Sequence, residues 1–155
     1  MNTEPKTSAF AGGPYLLVAC FCENVVQRAD QVLTLVNIID RLNLTGQGTD
    51  VPLQMPPATW RANLVLILKA GRARGRYELE VIPEQPDGSS MPPMRMSVNF
   101  EGEDDRGIQI VSQVNITLNQ EGLYWFNVML AEAPLTRLPL RVVYTRISGG
   151  QVPRR

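Results

Sequence analysis

Histidine is absent from this 155-residue sequence, and cysteine occurs only twice. Without histidine the chain cannot form a His-dependent catalytic triad, a histidine general base or most kinds of zinc site. It also lacks a Walker-type phosphate loop, and no Gly-x-Gly-x-x-Gly motif follows a predicted strand. These absences predict a non-catalytic protein without a cofactor or a metal. A divergent enzyme is kept as an alternative, because neither a fold nor missing motifs exclude chemistry fully.

An excess of charge of either sign is lacking too. Lysine plus arginine and aspartate plus glutamate number 15 each, so the net charge is zero. A neutral chain has no global attraction to nucleic acid or to anionic membranes. The apolar run 15–22 is too short to span a bilayer, and no export signal precedes it. We therefore expect a cytoplasmic protein that does not bind nucleic acid or a membrane.

The two cysteines, Cys20 and Cys22, are two residues apart. In a strand this spacing places both side chains on one face, at the limit of disulfide geometry. A thiol pair for metal or redox chemistry would need further ligands, and neither histidine nor a third cysteine exists. We expect both to be free, reduced and largely buried as small apolar residues.

Short apolar segments alternate with turn residues along the chain, a pattern typical of an all-β sandwich or barrel. We predict an antiparallel β-sandwich of about eight strands, immunoglobulin-like or C2-like, with Greek-key connections. The domain spans 14–147, and 1–13 and 148–155 are predicted flexible tails. The predicted strands, A to H, are 15–22, 31–44, 61–69, 76–82, 94–101, 108–118, 123–130 and 136–146.

Strands B and C differ from the others because they are apolar on both faces. Strand C could instead be a short helix, since periodicity alone does not separate the two. If both are strands, their second apolar face needs a cover. The candidates are the 45–59 loop, a tail or a partner chain, and the last of these predicts a homo-oligomer or a protein partner.

The segment Gln120-Glu-Gly-Leu-Tyr124 lies between two predicted strands. It resembles the tyrosine corner of immunoglobulin-like sandwiches, in which a tyrosine hydroxyl bonds to upstream backbone. The alternative is a plain hairpin with a core tyrosine. Both interpretations give Tyr124 and Gly122 structural roles, and we expect the Tyr124 hydroxyl to be buried and bonded to backbone.

A wider resemblance rests on Ala19-Cys-Phe-Cys-Glu-Asn-Val-Val26 and 31–40, and on Glu121-Gly-Leu-Tyr-Trp-Phe-Asn-Val128 with Leu138-Pro-Leu-Arg-Val-Val143. These stretches are similar to a family of uncharacterised small bacterial proteins, classed as a domain of unknown function. The resemblance covers roughly 14–146 and implies a bacterial origin and a β-sandwich. It supplies no catalytic residue.

Two charged loops are the candidate recognition sites. One holds Arg72, Arg74 and Arg76, and the other holds Glu101, Glu103, Asp104 and Asp105. In an antiparallel sandwich, connections alternate between two ends, so we expect both loops at one end. The 45–59 loop, the Pro-rich 83–93 loop and both tails should lie at the other. Loop carboxylates of this kind can bind calcium, but the acidic loop matches no EF-hand spacing.

These observations predict a non-catalytic binding or assembly module that mediates protein–protein interaction or self-association. Binding of a ligand or membrane surface through the end loops, as in C2-like sandwiches, is the alternative. If the charged loops form a recognition surface, the arginines would be offered to an acidic partner. In the plainer interpretation, the two loops offset each other's charge across solvent.

Overall fold

The computed structural model describes residues 9–147, so residues 1–8 of the predicted tail 1–13 and all of the predicted tail 148–155 lie outside this range. Nine strands and no helices form in the described part of the chain. Their bounds are β1 Tyr15–Gln27, β2 Leu33–Ile39, β3 Arg41–Gln47, β4 Ala58–Lys69, β5 Gly75–Glu84, β6 Met94–Phe100, β7 Gly107–Leu118, β8 Gly122–Leu130 and β9 Ala133–Ile147.

The strands form two sheets, which confirms an all-β fold consistent with a sandwich. Sheet A has the order β2-β1-β4-β7, and sheet B, which curls into a half-barrel, has the order β3-β9-β8-β5-β6. Period-two alternation turns one face of each strand inward. In β8, for example, Tyr124, Phe126 and Val128 are fully buried, while the residues between them are only partly buried.

Three aromatic rings link the sheets at the centre of the core. Phe21 of β1 packs edge-to-face on Trp60 of β4, with ring centroids 5.0 Å apart, and on Phe126 of β8, 4.7 Å apart. Such pairs add about 0.5–1.5 kcal/mol each beyond the area they bury. The two sheets are therefore held together by side chains from both.

The predicted strand B is wrong as a single element. Residues 31–44 divide at Asp40 into β2, which pairs with β1 in sheet A, and β3, which pairs with β9 in sheet B. The partly buried leucines are odd-numbered before the break, at Leu33 and Leu35, and even-numbered after it, at Leu42 and Leu44. The apolar run 32–39 lies before this break, and it is apolar at both odd and even positions: Leu33, Leu35 and Ile39 are partly buried, whereas Val32, Val36 and Ile38 are exposed.

The fully antiparallel arrangement is also wrong, because β3 and β9 pair in parallel, with Arg41 opposite Arg141 and Gln47 opposite Ile147. The chain crosses from one sheet to the other at Asp40 with only one residue between the two strands. No reversing turn separates them, so β3 enters sheet B as an added edge strand rather than through a hairpin.

Strand C is a strand, β4, and it is buried on both faces. Leu64 and Leu66 face the core, while Val65, also 0 % exposed, faces away from it in register with Val111 of β7. The β1–β2 hairpin, residues 24–36, which we call the arm, covers part of this face, since Gln27 and Gln31 lie beside Ile67 and Gln109. At its tip the Gln31 carbonyl accepts a hydrogen bond from the Gln109 side chain of β7, at 3.1 Å.

The arm reaches β7 because the β1–β2 ribbon bends at Glu23 and Asn37. Asn37 adopts a left-handed φ of 53° and donates its amide to the Glu23 carboxylate at 2.6 Å. The Glu23 carbonyl accepts a further bond from the Asn63 amide of β4 at 3.0 Å. Asparagine is among the few residues that tolerate this backbone conformation.

Both cysteines are free, as predicted, and lie on the outer face of sheet A. Cys20 is opposite Val65 and Cys22 is opposite Asn63. Cys22 is completely buried and Cys20 is half-buried. Burial raises the pKa of both thiols, and the neighbouring Cys22 adds to the rise in the pKa of Cys20.

The described part of the predicted N-terminal tail is packed against the domain. Phe10 lies against the core, and the Gly12 carbonyl accepts a hydrogen bond from the Arg72 backbone at 2.8 Å. This segment lies at the end with the arginine turn, and its predicted placement at the other end is wrong. The reason is the β1–β4 pairing, which sets Tyr15 opposite Lys69.

Candidate functional site

The two charged loops meet at one end of the sandwich, as predicted. Arg74 donates to the Asp104 carboxylate at 2.8 Å and to the Gly71 and Ala73 carbonyls. The backbone joins the loops as well, because Gly71 N–H donates to the Asp104 carbonyl at 2.9 Å. Arg74 and Asp104 therefore hold the two loops together and are partly withdrawn from any role in recognition.

The other arginines of the turn do not join this contact. Arg76 points along the outer face of β5, where it bonds the Ser97 hydroxyl and lies 3.8 Å from Glu78. Arg72 is exposed and anchored through its backbone to Gly12. The structure does not bring the three guanidinium groups together into one basic site.

The acidic loop remains open to solvent. Glu101, Glu103, Asp104 and Asp105 are all exposed, and Glu101 accepts only a long bond, 3.4 Å, from Asn99. Within residues 9–147, no three Asp, Glu, Cys or His side chains are grouped closely enough to hold a metal ion.

Tyr124 is fully buried, and its hydroxyl donates to the Gln120 carbonyl at 2.9 Å while accepting from the Gln120 N–H at 3.1 Å. The predicted bond to backbone is thus confirmed. Gly122 has a φ of +128°, and a Cβ there would lie 2.9 Å from the Pro86 ring. Both residues fix the corner between β7 and β8.

The sequence analysis missed a polar cluster beside this corner. Asp87 accepts hydrogen bonds from the Ser89 hydroxyl at 2.6 Å, the Ser89 N–H at 2.9 Å and the Gln120 amide at 2.9 Å. These bonds, the Ser89 hydroxyl first, lower the pKa of Asp87 to about 2. The cluster connects the Pro-rich loop 83–93 to the corner between β7 and β8. In the sequence, the turn dipeptide Asp87-Gly88 was the one local feature that could have indicated it.

Strand β7 is an open edge of sheet A, and it is twelve residues long. It contains no charged residue and no proline. Ala70 N–H donates to the Arg106 carbonyl just beyond the β4–β7 ladder. Because antiparallel bonding alternates along a strand, the even-numbered residues of β7 bond to β4 and the odd-numbered ones direct their backbone outward. No other backbone in residues 9–147 bonds to these outward groups.

The side chains of the same odd-numbered residues form an exposed row on the outer face of sheet A. The row is uncharged and includes Val111, which is 43 % exposed. It consists of Gln109, Val111, Gln113, Asn115 and Thr117. An edge with free backbone groups and neither charge nor proline is a template for another strand.

Residues 17–143 match the profile of a family described as a family of unknown function, DUF6941. The chain belongs to the DUF6941 family. The match confirms the resemblance to an uncharacterised family. The matched residues include strands of both sheets. No curated protein matches the chain. Residues 9–147 contain no helix that is long and apolar enough to cross a membrane.

Proposed function

We propose that this DUF6941 domain is a non-catalytic assembly module that self-associates by pairing β7 with β7 of a second copy. The observation that carries the proposal is the open, uncharged, proline-free edge of β7. Edge strands in monomers are normally blocked by charge, proline, bulges or short length. β7 has none of these over twelve residues.

A second copy fits this edge for two reasons. The net charge of zero removes the repulsion that keeps charged proteins apart. In addition, an antiparallel strand is complementary to itself about a two-fold axis, which gives a closed dimer.

Pairing centred on Gln113 would set Gln113 opposite its own copy and Val111 opposite Asn115. These pairs combine amide groups and one apolar side chain, with no like charges in contact. The outward backbone groups of Gln113 and its odd-numbered neighbours would then complete their hydrogen bonds. The result would be one eight-stranded sheet running through both copies, made from two four-stranded sheets A.

The test is a series of substitutions at Gln113, measured by sedimentation over a wide range of concentrations. The wild-type chain is expected at twice the chain mass. Gln113→Lys should be monomeric, because two lysines would face each other at the two-fold axis. Gln113→Pro should also be monomeric, because proline removes an outward N–H without breaking the bonds to β4.

Gln113→Ala is the matched control, since it keeps the open backbone edge and should keep the dimer. Mixing Gln113→Lys with Gln113→Glu should restore a dimer containing one copy of each. A wild-type chain that stays monomeric at every concentration would refute self-association. A dimer that persists in both Gln113→Lys and Gln113→Pro would show that the dimer contact does not involve β7.

The remaining expectations from the sequence are proposals as well. The Tyr124–Gln120 corner favours an immunoglobulin-like sandwich over a C2-like one. The ion pair of Asp104 with Arg74 weakens the alternative of calcium or membrane binding through the end loops, because it engages one of the acidic side chains. A cytoplasmic location and a bacterial origin are proposed from the sequence alone.

A further inference from the structure

Strand β3 is a second open edge, at the far side of sheet B from β6. Arg141 N–H donates to the Asp40 carbonyl at 2.8 Å, and Gly48 N–H donates to the Ile147 carbonyl at 3.3 Å. In a parallel ladder these two bonds assign the even-numbered residues of β3 to β9. The backbone groups of Asn43 and Thr45 therefore point outward, and none of residues 9–147 bonds to them through its backbone.

The outer face beside this edge carries two arginines in register. Arg41 of β3 is opposite Arg141 of β9, on strands about 4.8 Å apart, and both are exposed. No carboxylate in the described chain lies within ion-pair distance of either. Like charges side by side on a sheet are destabilising, so this position favours an anionic group from outside the domain.

The rest of the same face shows that this arrangement is exceptional. Each of the other arginines there lies within 4 Å of a glutamate on a neighbouring position: Arg76 with Glu78, Arg95 with Glu80, and Arg137 with Glu84. Only the end of the face next to the open edge has arginines without a carboxylate partner.

The inner side of the same edge has a mainly apolar cleft of about 290 Å³, whose lining also includes Asp50. Leu44 and Tyr144 form one wall, and Val51, Pro52 and Met55 of the 48–57 loop form the other. The Tyr144 hydroxyl donates to the Pro52 carbonyl at 3.1 Å and fixes the loop there. The edge thus has free backbone in the middle, an apolar cleft on one side and positive charge on the other.

We propose that β3 is the docking edge for an extended segment of a partner protein in which apolar and acidic residues alternate. Successive side chains of a strand point to opposite faces. A segment paired with β3 would place its apolar side chains in the cleft and its carboxylates at Arg41 and Arg141. Backbone bonds to Asn43 and Thr45 would supply affinity, and the two side-chain sites would supply specificity. A second copy is a poorer fit, since it would add arginines and no carboxylate.

The probe is a short synthetic peptide of alternating valine and glutamate with threonine at both ends, titrated into the full-length chain by calorimetry. A peptide with lysine in place of glutamate is its control. We expect the glutamate peptide to bind and the lysine peptide to bind at least about tenfold more weakly, a difference of about 1.4 kcal/mol. Backbone NMR signals of Asn43 and Thr45 should shift on binding.

Two variants separate the contributions. Arg41→Glu with Arg141→Glu should reverse the preference between the two peptides, while Arg61→Glu, an exposed arginine on β4 of the other sheet, should leave it unchanged. Thr45→Pro should abolish binding by removing an outward N–H, and Thr45→Val, which keeps it, should not.

Absence of binding by the glutamate peptide, or equal binding of both peptides, would overturn the proposal. Binding that survives Thr45→Pro in a chain with a wild-type circular dichroism spectrum would do the same. Because β3 and β7 belong to different sheets, these outcomes do not depend on whether the chain self-associates.

Discussion

The Tyr124 hydroxyl offers the sharpest test of how the corner between β7 and β8 is held. Tyr124→Phe removes a single oxygen from a fully buried ring and leaves the Gln120 N–H and carbonyl without their partner. An unsatisfied buried polar group costs about 1–3 kcal/mol, and Gln120 is only half-buried, so we expect a loss of about 1–2 kcal/mol. For a domain of this size each kcal/mol lowers Tm by about 2–4 °C.

The measurement is urea unfolding at a fixed chain concentration, with an unchanged m-value as the sign that only stability has changed. Tyr144→Phe is the matched control, because its hydroxyl makes one bond, to the Pro52 carbonyl at 3.1 Å, at an exposed position. Tyr144→Phe should lower the free energy of unfolding clearly less than Tyr124→Phe does. If the two variants lose equal stability, or if Tyr124→Phe loses none, the hydroxyl does not stabilise the corner.

Further predictions concern the thiols, the arm and the Asp87 cluster. Cys20 and Cys22 should react slowly with a thiol reagent at neutral pH and faster as the pH rises, because their raised pKa values keep them protonated; fast labelling of both in the native chain would contradict this. Gln109→Ala should speed the labelling of Cys22, since it removes the bond that fastens the arm to β7; an unchanged rate would mean that the arm is held elsewhere. Asp87 has its pKa lowered from 3.8 to about 2, so the stability it contributes is present above about pH 4 and lost as the pH falls towards 2. The carboxyl NMR titration of Asp87 should therefore have its midpoint near 2 and shift upwards in Ser89→Ala.

Local signals in the sequence predicted much of the fold. The strands from β4 onwards were found within a few residues, because alternation and turn residues are properties of short segments. The Tyr124 contact was predictable for the same reason, since it joins residues only four positions apart. The meeting of the two charged loops followed from the alternation of connections between the two ends.

What could not be predicted depends on contacts between distant segments. The division of residues 31–44 had a local signal, the change of phase between Leu35 and Leu42, but its consequence, a parallel pairing with β9, depends on residues about a hundred positions away. The arm depends on a bend at Asn37 and on the Gln31–Gln109 contact. Neither is visible in periodicity, so the sequence could not show that the arm covers part of the outer face of sheet A.

The four sheet edges show why assembly is expected at particular places rather than everywhere. β2 contains the left-handed Asn37, which interrupts its regular backbone, and β6 carries the ion-paired Arg95 and follows Pro92-Pro93. Both are therefore poor templates for another strand. β7 is long and neutral, which favours an identical strand, whereas β3 has positive charge on one side and an apolar cleft on the other, which favours a different one. Two edges are blocked and two are open with different chemistry, so the two proposed contacts would use different strands and would not exclude each other.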